Sequence, residues 1–106
     1  MGFELLYFDG CPSWQTAYHD LRQVLNGLGY EGSVRLVNVK TDEQAVDARF
    51  VGSPTIRLNE QDLFPVNHVD YALGCRVYVT PEGMRGYPTV DMLRNAISRL
   101  FSDQGG

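Results

Sequence analysis

Apolar positions along the chain change period several times, and each change marks an element. Phe3 to Phe8 is apolar almost throughout, broken only by Glu4, the pattern of a central strand covered on both faces. From Trp14 the spacing lengthens. Trp14, Ala17, Tyr18, Leu21, Val24, Leu25 and Leu28 fall on one side of a helix, which Gly27 and Gly29 bring to an end. Val34 to Val39 predicts a second strand, and Thr41-Asp42-Glu43-Gln44 has the capping-box pattern that opens a second helix through Phe50. Thr55 to Leu58 predicts a third strand and Cys75 to Val79 a fourth. Thr89 is placed to cap a last helix with Val90, Leu93, Ala96, Ile97, Leu100 and Phe101 on one face, and Asp103 to Gly106 reads as a frayed tail.

Composition narrows the class. A chain of 106 residues, 43% hydrophobic and 21% charged, suits one soluble globular domain. A net charge of −4, with Lys40 the only lysine, argues against nucleic acid or an anionic membrane as partner. No secretory pattern opens the chain and no apolar stretch is long enough to span a bilayer, so a cytoplasmic protein is expected, with both cysteines resting as thiols.

The order strand, helix, strand, helix, strand, strand, helix limits the packing to few topologies. The expected sheet has Phe3–Phe8 at its centre, parallel to Val34–Val39 and to Thr55–Leu58, with an antiparallel fourth strand beyond the third. The helices from Ser13 and Thr89 are expected on one face and the helix from Thr41 on the other.

Cys11 is the residue most suggestive of chemistry. It stands where the first strand hands over to the first helix, and the free N–H groups of a helix start favour a thiolate, the form that reacts with disulfides and binds soft metals. Pro12 suits the first helical position, where its missing N–H is no loss. The competing reading is a buried, inert cysteine. Asp9 opposes the thiolate or serves as a general acid or base; as a turn residue it needs no such role.

Cys11-Pro12 opening the first helix, Ser53-Pro54-Thr55 opening the third strand and Gly86-Tyr87-Pro88-Thr89 before the last helix together resemble the thioredoxin-like family. The resemblance covers nearly the whole chain, and implies an α/β fold in which residues 1–106 form a single thioredoxin-like domain, a four-stranded mixed sheet (β-α-β-α-β-β-α) with helices on both faces. Phe8-Asp9-Gly10-Cys11-Pro12, Gly52-Ser53-Pro54-Thr55-Ile56 and Cys75-Arg76-Val77-Tyr78 are similar to segments of small bacterial thioredoxin-family or alkylmercury lyase-like proteins. It further implies a cis Ser53-Pro54 peptide packed beside Cys11. Pro12, Trp14, Ser53, Pro54 and Thr55 then become the substrate-binding residues, and the backbone before Pro54 pairs with an extended substrate as an added strand. Trp14 departs from the family, which carries a second cysteine three residues after the first. A disulfide inside the motif is excluded, and Cys11 is expected to act as a monothiol on a thiol or disulfide partner, protein or glutathione-like. Trp14 itself covers the thiol or belongs to the core.

Cys75 is the one internal candidate for a second catalytic thiol. As the start of a fourth strand it would lie roughly 10–13 Å from Pro54, too far for a disulfide. In that register Cys11 is the reactive thiol and Cys75 is not its obligate partner. In an alternative register Asp62–Phe64 pairs with the third strand as a tight hairpin and the chain from Pro65 carries Cys75 over the active face. If Cys11 and Cys75 converge, soft-metal or organomercurial handling becomes the alternative function. His19 lies about 12 Å along the helix from Cys11, outside one coordination sphere, and His68 pairs with Cys75 only through a loop. A noncatalytic peptide-binding module is the other alternative. No metal is assigned, and no nucleotide motif or serine-nucleophile elbow is present, so no cofactor is expected.

Overall fold

The computed structural model describes residues 2–30, 32–66 and 70–105. Its elements are β1 (Phe3–Tyr7), α1 (Ser13–Gly27), β2 (Val34–Asn38), α2 (Asp42–Ala48), β3 (Thr55–Leu58), β4 (Gln61–Asp62), β5 (Tyr78–Thr80), β6 (Gly83–Arg85) and α3 (Val90–Gly105). The first four strands form one mixed sheet in the order β2-β1-β3-β4, and β5-β6 is a separate hairpin.

β1 occupies the centre of the sheet, parallel to β2 with Leu5 opposite Leu36. Its residues alternate between two cores. Phe3 and Leu5, with Ile56 and Leu58 of β3, pack against Ala17, Leu21, Val24 and Leu25 of α1 and Leu93 and Ile97 of α3. Leu6 turns to the other face and packs with Val39, Ala45 and Phe50 around α2. A strand buried on both sides has to be apolar at successive positions, as Leu5 and Leu6 are.

The direction of β3 differs from expectation. It runs antiparallel to β1, pairing Phe3 with Leu58 and Leu6 with Thr55. The connection explains this. α2 has seven residues, about 10 Å of helix, against about 17 Å for a five-residue strand. The helix stops at Ala48, two residues short of the expected end, and Arg49 then turns the chain in the left-handed region at φ 54°. The chain therefore re-enters the sheet from the end at which β2 left it.

The fourth strand is not Cys75–Val79. It is Gln61–Asp62, joined to β3 through Asn59 and Glu60, both at positive φ, as a two-residue hairpin turn with primed geometry requires. This is close to the alternative hairpin register. A strand of one glutamine and one aspartate carries no apolar alternation to reveal it.

The helix ends follow local chemistry. Pro12 takes the cap position of α1, one residue earlier than the first helical position, with no side chain capping the turn. The Gln44 N–H donates to Thr41 Oγ1 (3.1 Å), and Gln44 Oε1 accepts from the Lys40 N–H (2.8 Å). The Met92 N–H donates to Thr89 Oγ1 (3.1 Å) at the start of α3. That helix continues through the expected frayed tail to Gly105, in a stretch with no proline to interrupt its backbone bonds. Among the described residues no helix is long and apolar enough to cross a membrane.

Candidate functional site

The antiparallel register decides where the site lies. Because Thr55 pairs with Leu6, the residues just before β3 lie beside those just after β1. Ser53-Pro54 and Cys11 therefore meet at one end of the sheet. Cys11 is held in a turn by its N–H, which donates to the Phe8 carbonyl (3.0 Å), and its Sγ lies 3.7 Å from the Ser53 carbonyl oxygen. The Ser53-Pro54 peptide is cis.

Cys75 joins them. Cys11 and Cys75 form a disulfide with their Cα atoms 5.7 Å apart, inside the range such a bond spans. The register that kept the two sulfurs apart fails because Cys75 does not extend the sheet beyond β3. It forms an isolated parallel bridge with Ser53 instead. The Ser53 N–H donates to the Gly74 carbonyl (2.8 Å), and the Arg76 N–H donates to the Ser53 carbonyl (2.9 Å). The chain's own Gly74–Arg76 thus pairs with the backbone that was expected to receive an extended substrate.

A buried polar cluster fixes that segment. The Arg76 guanidinium, on a residue only 6% exposed, donates to Asp62 Oδ2 (2.8 Å) and to the Phe64 carbonyl, and lies 3.5 Å from Thr55 Oγ1. It also stands over the Tyr78 ring, 4.6 Å from the centroid. The Tyr78 hydroxyl donates to the Pro54 carbonyl (2.6 Å). Burial raises the Tyr78 pKa far above its ordinary 10.0; the nearby Arg76 charge works against that rise and Asp62 adds to it. A buried guanidinium needs such a set of acceptors, since an unpaired one costs several kcal/mol (about 3–5 when a buried pair is broken).

Gly52 lets the segment approach. At φ +117° a Cβ there would lie 2.9 Å from Arg76 Cβ and 3.0 Å from its Cα. Gly86 plays a similar part at the start of α1, where a Cβ would meet Ser13 Oγ at 2.5 Å.

The remaining expected residues divide. Ser53, Pro54 and Thr55 are fully buried; the Thr55 hydroxyl donates to the Gly52 carbonyl (2.6 Å), and Ser53 Oγ has no hydrogen-bond partner among the described residues. Pro12 is exposed. Trp14 stacks on Tyr7 with centroids 4.1 Å apart and packs at the edge of the α1–α3 core, the core arrangement expected of an aromatic on that helix face. Asp9 is exposed and accepts from Asn38 Nδ2 (3.2 Å). His19 is exposed and bonded to Gln23, and His68 lies outside the described residues. Among the described residues no three His, Cys, Asp or Glu side chains gather into a cluster able to hold a metal ion.

Sequence reasoning overlooked Arg76, Asp62 and Tyr78 as the frame of the site. The one available signal was an arginine inside an otherwise apolar strand-like run, Cys75-Arg76-Val77-Tyr78-Val79. The geometry defines an α/β protein with one disulfide lying between a strand–helix junction and a cis-proline turn. Comparison of the chain with protein-family models, with curated proteins and with solved structures finds no match.

Proposed function

We propose that the chain is a thioredoxin-like thiol–disulfide exchange protein whose redox couple is Cys11 with Cys75. The observation that carries this reading is the convergence of the α1 start, the turn before Pro54 and Cys75 on one disulfide. It differs from a monothiol in that the resolving sulfur is internal, supplied by a segment 64 residues away.

In the reducing direction the dithiol gives two electrons to a partner disulfide. One protein sulfur forms a mixed disulfide and releases the first partner thiol; the other protein sulfur displaces the second, leaving Cys11–Cys75 oxidised. In the oxidising direction the same bonds form and break in reverse. Cys11 is suited to leave or attack as a thiolate, because it stands one residue before the Pro12 cap of α1, where no side chain caps the helix start and the positive end of the helix favours negative charge.

The test is reduction of insulin disulfides by dithiothreitol with and without the protein at catalytic concentration. The wild-type chain is expected to accelerate the reaction, and Cys11→Ser and Cys75→Ser are each expected to lose the acceleration. A wild-type chain that leaves the rate unchanged, and whose disulfide does not equilibrate with glutathione, overturns the reading.

A further inference from the structure

Resting on the exchange reading above, we infer that Cys75 is the sulfur that meets the partner, and that Cys11 is the internal sulfur that leaves or resolves. Two observations separate them. Cys11 is 3% exposed, whereas Cys75 is exposed. An incoming thiolate has to reach the sulfur it attacks, so access selects the Cys75 end of the bond.

The cover over Cys11 does not depend on the disulfide. Gly74 and Arg76 bond to both peptide groups of Ser53, Arg76 is held by Asp62 and the Phe64 carbonyl, and Tyr78 is held by the Pro54 carbonyl. None of these contacts uses a sulfur atom. They persist when the bond is reduced, and keep Cys75 at the surface with Cys11 beneath it. They also occupy the backbone beside Pro54, so a partner cannot add itself there as a strand. The partner chemistry that fits is a thiol or disulfide needing no groove: a low-molecular-weight compound such as glutathione, or a cysteine on an exposed segment of another protein.

The exchange then has a fixed order. The partner thiolate attacks Cys75 Sγ, the Cys11–Cys75 bond breaks, and its electron pair leaves on Cys11 as a thiolate at the start of α1. A second partner thiolate displaces Cys75 from the mixed disulfide, which yields the partner disulfide and the Cys75 thiolate. In reverse, the Cys75 thiolate attacks a partner disulfide, and Cys11 then attacks Cys75 Sγ and expels the remaining partner thiol.

Helix-end activation alone favours Cys11, so the two sulfurs can be told apart. The fully reduced wild-type chain, treated with less than one equivalent of iodoacetamide and mapped by mass spectrometry, is expected to carry the label on Cys75. With oxidised glutathione, Cys11→Ser is expected to form its mixed disulfide at least about tenfold faster than Cys75→Ser, with the two rates converging in urea. Label on Cys11 first, or equal rates in the folded state, overturns the assignment while leaving the exchange reading itself standing. Glutathione exchange at neither sulfur overturns both the assignment and the proposed function.

Discussion

Tyr78 shows how one side chain ties the site to the pH. Its hydroxyl is buried and donates to the Pro54 carbonyl, so the folded chain keeps it protonated while the unfolded chain releases the proton near 10.0. A pKa raised by folding contributes stability that is fully present below the unfolded value and is lost as the pH climbs above it. Tyr78→Phe removes both effects. At neutral pH the variant is expected to be about 1 kcal/mol less stable, for the lost hydrogen bond. By about pH 11 the wild type gives up about 1.4 kcal/mol that the variant keeps, so the two stabilities converge. Urea denaturation across that range, on oxidised protein, checks this; parallel profiles would show that Tyr78 ionises as freely folded as unfolded.

At the scale of elements, the segment from Cys75 to Thr80 inverts the usual pattern. Its polar members Arg76, Tyr78 and Thr80 are buried, while Val77 is exposed and Val79 is 76% exposed. The segment is held by polar contacts with the β3–β4 hairpin, and its apolar alternation faces solvent. Its close approach depends on Gly52. Gly52→Ala places a Cβ against Arg76 in a backbone region that alanine tolerates poorly, and is expected to cost about 2–3 kcal/mol. By loosening the cover it is also expected to speed glutathione reduction of the disulfide. Denaturation and reduction rates measured on the same variant check both; unchanged values would mean that Arg76 is held elsewhere. Strand direction is the other lesson at this scale. A parallel β3 would have placed Pro54 beside Phe3, at the far end of the sheet from Cys11. The expected parallel strand and the expected Pro54–Cys11 contact were incompatible, and the short α2 connection resolves the conflict in favour of the contact.

For the whole molecule, the disulfide links positions 64 residues apart and so ties the start of α1 to the segment before β5. Chain-entropy reasoning assigns a loop of that length about 4 kcal/mol of stability. Oxidised protein is therefore expected to unfold with a free energy about 4 kcal/mol above that of reduced protein or of Cys75→Ser. Paired denaturation curves with and without reductant test it. A negligible difference would mean that residual structure already holds these two segments near one another in the reduced unfolded chain.

Much of this protein was legible in the order of its residues. The apolar periods marked β1, α1, β2, β3 and α3, because which positions are buried is a local property of a strand or helix. Thr41 and Thr89 announced the starts of α2 and α3, and Cys11-Pro12 announced the junction of β1 with α1, because caps and helix starts are set within one turn. Tertiary structure alone decided the rest. A period says which face of a strand is buried and nothing about its direction, so β3 could not be oriented from Thr55–Leu58. Gln61-Asp62 is too short and too polar to carry a pattern. The hydrogen-bond acceptors of the Arg76 guanidinium lie 12 to 21 residues away, and the partner of Cys11 lies 64 away. Such pairings are set by where the chain returns in space, which depends on the packing of the whole sheet.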